Sequence, residues 1–463
     1  MKNRKFLYIS LICFGLMSAF FASCKKEDAF LAEKPNEALE VPSSLSDYQS
    51  LLQNEGLFNN SDPNLGSLAA GEFNVTSDVW LAASTMTERN AYIWAKDIYQ
   101  GEVVNDWNGL YRQVYTANVV LDGLSNLKIA QGQQTLFNEV KGTAMFLRAI
   151  AFYNLVQTFA LPYNKASAGT DLGIPLRLSS DLNIKYQRAT EQQCYDQILQ
   201  DLKLSLTFLP SKVSFITRPN LTAANALLAR IYLATGDYAQ ALSYADACLA
   251  QNGAIVDYNT LSPADYSLTS NSTYLPEELF HTDMISYTIF SFTSAIVDTT
   301  IYQSYDQNDL RKSMFFTIYD SHLRFKGSYD YIQYNNFSGL ATDEIYLVRS
   351  ECNARLGNVT AALADLNLLL VNRYKTGTFV PYPSSLTADQ VLQLVINERI
   401  KELYYRGLRW TDLRRLNQDA RFKVTLTRMI NGNTYTLPPN DPRYAYPLPD
   451  QEIQLNNLPQ NQR

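Results

Sequence analysis

Histidine is nearly missing from this 463-residue chain: it has two, His281 and His322, and their separation is wrong for a metal-binding pair. Cysteine is scarce too, and none of the five falls in a C-x-x-C spacing, which argues against a zinc site or a disulfide framework. Beyond residue 23 no run approaches the ~18 uninterrupted apolar residues of a membrane-spanning helix. No G-x-S-x-G, Walker or dinucleotide glycine motif follows a strand-like stretch, so no nucleophile stands beside a base. Positive charge is in deficit: 39 Lys and Arg against 45 Asp and Glu give −6, so nucleic acid is not an expected partner. The expectation is a protein without cofactor or metal and not an enzyme.

What the chain does have begins at its start. Lys2, Arg4 and Lys5 precede an apolar run from Phe6 to Phe21, and Ala22 and Ser23 stand directly before Cys24. A positive start, a short apolar segment and small residues at a cut describe an export signal over 1–23. The ending Phe21-Ala22-Ser23-Cys24 is similar to the lipobox of bacterial lipoproteins, which implies that Cys24 becomes the first mature residue and carries the lipid. An ordinary signal peptide with an incidental cysteine is the alternative. Lys25, Lys26, Glu27 and Asp28 look like the export tag of surface-displayed lipoproteins, and are equally a solvated tether. Losing 1–23 removes three positive charges and leaves about −9. Cys194, Cys248 and Cys352 lie inside helical patterns and are expected as small buried hydrophobes.

Apolar residues make up 46% of the chain, ample for a core, and their spacing is helical wherever it is clear. Ile345, Val348, Cys352 and Leu356 share one helix face, as do Leu392, Ile396, Ile400 and Leu403. Helices are expected over about 105–127, 134–160, 190–208, 220–235, 238–251, 342–357, 360–373 and 387–406. Between about 253 and 340 the period fails and Ser, Thr, Asn, Asp and Tyr take over, which reads as long loops with short strands. Laying Gly236 on Gly357 exposes an internal repeat, with Leu227 on Val348, Ala241 on Ala362, Leu242 on Leu363 and Leu249 on Leu370. Helix, glycine turn, helix with a small residue five positions on is the tetratricopeptide pattern.

LRAIAFYNLVQTFALPY (147–163), GIPL (173–176), RPNLTAANALLARIYLATGDY (218–238), INERIKELYYRGLRWTDLRRLN (396–417) and the terminal NLPQNQR are among eight stretches that together resemble the SusD/RagB family of nutrient-binding outer-membrane lipoproteins. The resemblance implies a mainly α fold of tetratricopeptide hairpins with a loop-rich ligand-binding face. It implies one SusD-like domain over 24–463, made of 24–252, an irregular insertion 253–340 and a helical part 341–463. It also implies a location on the cell outer membrane, facing the exterior, and a SusC-like TonB-dependent transporter as partner. The ligand it implies is a glycan or a peptide, captured without chemistry. Arg406 departs from the pattern, standing where the family commonly has Glu. Two rival functions stay open: a surface glycoside hydrolase, and a tetratricopeptide scaffold that binds only protein.

Glu398 and Glu402 lie one helical turn apart, a spacing that brings two carboxylates to one site for acid–base work or metal binding. Arg399, Arg406, Arg409, Arg414 and Arg415 crowd the same stretch, so a structural ion-pair network with Arg406 one turn after Glu402 is the favoured reading. Trp410 is expected in the core, and Trp107, Tyr111 and Asn118 in the scaffold. Tyrosine is abundant, 31 residues beside 22 Phe and 4 Trp, and its amphipathic ring suits a wet surface that grips flat apolar faces. Trp80, Tyr92 and Trp94 in the poorly periodic 71–99, and Tyr287, Phe290 and Phe292 in the central stretch, are the candidate ligand contacts. Tyr274, Tyr302 and Tyr305 belong to the same irregular stretch. Plain packing is the competing reading of each ring.

Overall fold

Runs of Ala and Leu interrupted by left-handed glycines set the architecture. The computed structural model describes residues 42–264, 268, 274–329 and 335–463, of which Leu45–Arg463 form one compact unit. The export signal and Cys24 lie outside the described residues. The principal helices are α1 (Leu45–Leu52), α2 (Asn105–Asn126), α3 (Gln134–Phe159), α4 (Glu191–Ser205), α5 (Leu221–Ala234) and α6 (Tyr238–Gln251). After the irregular stretch come α7 (Thr342–Arg355), α8 (Val359–Val371), α9 (Ala388–Glu402) and α10 (Arg409–Leu416). The fold is mainly helical.

Neighbouring helices pack in sequence: α2 on α3, α3 on α4, α5 on α6, α6 on α7, and α7 on both α8 and α9. Gly236 and Gly357 turn the α5–α6 and α7–α8 hairpins at φ +75° and +85°, where a Cβ would be strained. Ala241 and Ala362 are fully buried at the seams the repeat assigns them. Side chains fix the helix starts: Asn220 caps α5, and Thr190 with Gln193 and Thr387 with Gln390 form capping boxes on α4 and α9. From Phe146 onward α3 is buried on nearly every face and forms the centre of the core. Trp107 packs edge-on against Phe159 at 4.9 Å, the Tyr111 hydroxyl donates to Pro175 O, and Asn118 accepts from Arg148, as scaffold residues should. Cys194, Cys248 and Cys352 are free and buried.

The irregular stretch folds as short antiparallel pairs. Phe73–Asn74 joins Ile296–Val297, and Glu278–Phe280 joins Leu340–Ala341. Strands β1 (Phe316–Tyr319) and β2 (His322–Phe325) form a hairpin whose turn residues Asp320 and Ser321 both have positive φ. A second hairpin, β3 (Leu426–Ile430) and β4 (Asn433–Leu437), turns on Asn431-Gly432. Both turns match the left-handed geometry that two-residue hairpins demand.

Helix α9 stops earlier than its apolar period suggests. It ends at Glu402; Tyr405 then takes φ +58° and Gly407 +70°, so the chain has left the helix before Arg406. Arg406 therefore cannot sit one turn after Glu402, and it pairs with Asp343 at 3.1 Å, its guanidinium 4.5 Å from the ring centres of Tyr329 and Phe337. The ion-pair network exists with other partners. Glu402 accepts from Arg373 at 2.7 Å and Arg311 at 2.8 Å, while Glu398 accepts from Arg311 at 2.9 Å and from Lys401. Arg399 and Arg415 close on Asp412, and Arg414 donates to the carbonyls of Ala160, Leu161 and Tyr444. Burial alone would raise the Asp412 carboxyl, but Arg399 and Arg415 outweigh it and hold it at about 2. Trp410 is buried and stacks on Tyr444 at 4.9 Å.

Candidate functional site

Four stretches far apart in sequence supply one aromatic cluster. Phe73, Phe290, Phe325 and Tyr405 meet with ring centres 4.5 to 6.4 Å apart, and Tyr404 stacks on Tyr405 at 4.5 Å. The cluster is pinned to the fold through Glu72: its carbonyl accepts from the Tyr404 hydroxyl and its carboxylate from the Tyr405 backbone N–H. Burial pushes the Glu72 carboxyl up to about 7. Tyr405 holds its left-handed backbone although it is a bulky residue, a local strain of roughly 1–2 kcal/mol that the surrounding contacts must offset.

Above this cluster lies a cavity of about 420 Å³. Phe290, Phe325 and Tyr405 line it, and so do the more exposed rings of Phe292 and Tyr319, whose centres are 5.3 Å apart. Ser291, Thr293, Ser328, Asn335 and Asn336 contribute hydroxyl and amide groups, and Lys326 an ammonium. Apolar faces beside converging amides and hydroxyls suit a ligand with flat apolar faces and a hydroxylated edge, and the volume falls in the usual range for small-ligand sites.

The sequence candidates divide on burial. Phe292 lines the cavity half-buried, and Phe290 forms its floor at 3% exposure. Tyr92 and Trp94, each 2% exposed, are core residues, which corrects their reading as ligand contacts in favour of plain packing. Arg428 explains why: its guanidinium lies 3.8 Å from the Tyr92 ring centre and 4.7 Å from that of Trp94, whose indole N–H donates to Ala69 O. Trp80 is half-buried with its indole N–H on Arg89 O. Tyr287, also half-buried, donates its hydroxyl to Asp106 at 2.5 Å. Neither Trp80 nor Tyr287 is among the described residues that line this cavity. Tyr305 is buried with its hydroxyl on Lys401 O.

Sequence reasoning missed Tyr319, Phe325, Lys326, Asn335, Asn336 and Tyr405. The β1–β2 hairpin offered a signal in the aromatic and β-branched run Phe316-Thr317-Ile318-Tyr319 that leads into its turn. The floor residue Tyr405 offered none, since it lies just after a helical pattern. His281, the more central of the two histidines, is structural: burial lowers its basicity, but hydrogen bonds to Asp283 and Glu278 outweigh that and raise it to about 10. Among the described residues no helix is long and apolar enough to cross a membrane.

Comparison with known proteins places these features in a family. Residues 29–233 match a SusD-like family model described as starch-binding and associating with the outer membrane, and residues 340–462 match the SusD family model. A curated relative, SusD-like protein P2 of Formosa agariphila, is 23% identical over 78% of this chain and 80% of its own. The crystal structure of a SusD superfamily protein from Bacteroides thetaiotaomicron superposes with a TM-score of 0.72 at 21% identity, over 91% of this chain and all of the other. A SusD-like carbohydrate binding protein from Bacteroides vulgatus superposes with a TM-score of 0.69 at 19% identity, over 90% of this chain and 97% of the other. The chain belongs to the SusD/RagB family.

Proposed function

We propose that this chain is a cell-surface lipoprotein that captures a glycan in the cavity beside Phe292 and Tyr319 and passes it to a TonB-dependent outer-membrane transporter. The observation that carries the reading is the cavity itself: two partly exposed rings 5.3 Å apart, over an aromatic floor, facing amides and hydroxyls. Aromatic faces stack on the apolar face of a sugar ring while amides and hydroxyls bond its edge. Family membership and the carbohydrate-binding description of the Bacteroides vulgatus protein agree with it. The lipid is placed on Cys24, after an export signal over 1–23, and the protein faces the cell exterior.

Capture proceeds without hydrolysis in this reading. Glu398 and Glu402, the sequence's best pair of acids, have their carboxylate oxygens committed to Arg311, Arg373 and Lys401. They lie in the core at 3% and 2% exposure, so neither can reach a polysaccharide. The test is a binding screen of the purified mature protein on a panel of glycans and peptides, with product analysis of each bound glycan. Retention of glycans, unaltered on recovery, is expected. Retention of peptides alone, or release of shortened glycan, overturns the proposal.

A further inference from the structure

Arginines of this fold repeatedly present the edge formed by Nε and Nη2 to a carboxylate. Arg148 offers that edge to Asp201, Arg230 to Glu344 and Arg349 to Asp365, each by two hydrogen bonds of 2.5 to 2.8 Å. Paired bonds of this kind are strong and fix the orientation of the partner. Arg406 departs from the pattern. It is 5% exposed, its Nη1 donates to Asp343 at 3.1 Å, and its guanidinium carbon lies 4.5 Å from the ring centres of Tyr329 and Phe337. Its Nε and Nη2 have no partner among the described residues.

Arg406 lines a narrow crevice of about 60 Å³, bounded by the loop at 62–67, by α3 and by the turn that follows α9. Trp410 lines it too, is 2% exposed, and has an indole N–H that is likewise without a partner among the described residues. Three buried nitrogen donors, two of them on a cation, therefore belong to side chains around one space. Leaving such donors unpaired is costly, most of all on a charged group, so an acceptor in the crevice accounts for them.

Asp62 is the one carboxylate among the described residues of the lining. One of its oxygens accepts from the Thr282 and Ser338 hydroxyls, both at 2.7 Å, and the other from the Asn154 amide at 3.3 Å. Burial outweighs these bonds and raises the Asp62 carboxyl, which weakens it as a charge repelling an anion. Arg230, the second guanidinium of the lining, is already committed to Glu344.

We propose that this crevice binds a small carboxylate, its two oxygens on Nε and Nη2 of Arg406, with the Trp410 indole N–H as a third donor. The volume is about that of two waters in the liquid, which suits a formate or acetate ion or the tip of a longer acid. Half-buried Pro63, Asn154 and Thr411 leave the crevice open to solvent, so such an ion can enter. The site is separate from the aromatic cavity and does not depend on glycan binding there.

The test follows the indole N–H signals of the four tryptophans in isotope-labelled mature protein, with Trp410 assigned by its loss in Trp410→Phe. Sodium formate and sodium acetate are titrated against sodium chloride at equal ionic strength. The Trp410 signal is expected to move saturably with formate or acetate and not with chloride, and the melting temperature to rise with occupancy. Arg406→Lys keeps the charge and loses the planar fork, so it should bind formate about tenfold or more weakly. A short peptide and its C-terminal amide distinguish the source: displacement of formate by the acid alone assigns the site to a chain end, and no displacement to a free acid. A Trp410 signal indifferent to both carboxylates, one that chloride moves equally, or unchanged formate binding in Arg406→Lys overturns the proposal. Should Arg406→Lys fail to fold, wild-type crystals grown with formate decide. Planar density against Nε and Nη2 of Arg406 supports the site, and water alone overturns it.

Discussion

Phe292 and Tyr319 come from different segments and meet with ring centres 5.3 Å apart at the mouth of the aromatic cavity. Phe292 stands just after a short 3₁₀ turn at Thr288–Phe290, and Tyr319 ends β1 before a left-handed turn. Tyr319 is 47% exposed, so its position reflects the hairpin backbone more than core packing. That combination, a large ring held by backbone geometry and left open, separates the cavity rim from its floor.

Tyr92 and Trp94 are expected to act on stability alone. Trp94→Ala should cost about 3–5 kcal/mol, because it opens a large void under Arg428 and leaves Ala69 O without its donor. Denaturant unfolding measures this. A Trp94→Ala protein of normal stability that fails to bind glycan contradicts the assignment of this ring to the core.

Removing the Glu402 carboxylate should be as severe. Glu402→Ala leaves Arg311 and Arg373, both fully buried, short of a partner, at a cost of about 3–5 kcal/mol. Thermal melting and expression yield report the loss. A variant that melts like the wild type shows that the network contributes little.

Acid should loosen the fold through Asp412. Its folded pKa, about 2, lies below the ordinary 3.8, so the stability it supplies is complete above 3.8 and is lost as pH falls towards 2. The shift corresponds to about 2 kcal/mol. Asp412→Asn should be less stable than the wild type at neutral pH, and the gap should narrow below about pH 4. A gap that stays constant from pH 7 to about pH 2.5 contradicts the ion-pair account.

The anchor has its own test. Cys24→Ala is expected to leave the protein exported but without lipid, because the thiol is the proposed attachment point. Fractionation and palmitate labelling read this out, and a variant that stays labelled and membrane-bound contradicts it.

The helices were legible because their cores repeat: Leu227, Ala241, Val348 and Ala362 fall on buried seams at the spacing the sequence displays. Helix ends were less so. The period carried the expected helix on to Arg406, since nothing at Leu403 or Tyr404 announces the left-handed Tyr405 that breaks it. The site was harder still. Absence of helical period in 71–99 suggested that its rings were free of packing, but Tyr92 and Trp94 are buried beneath Arg428, more than three hundred positions away. A contact of that range leaves no mark in local spacing. Tyr319 was recoverable, because the aromatic and β-branched run Phe316-Thr317-Ile318-Tyr319 reads as a strand that ends at the polar turn pair Asp320-Ser321.

The most direct test of the account is calorimetric titration of a glycan retained in the screen into the wild type, Phe292→Ala and Tyr319→Ala, with melting temperatures measured alongside. Each ring stacked on a sugar is worth about 1.4 kcal/mol, so each variant should bind about tenfold more weakly. The melting temperature of Tyr319→Ala should stay at the wild-type value, as its ring is half open to solvent. Wild-type affinity in both variants would contradict the claim that this cavity is where the protein holds its ligand.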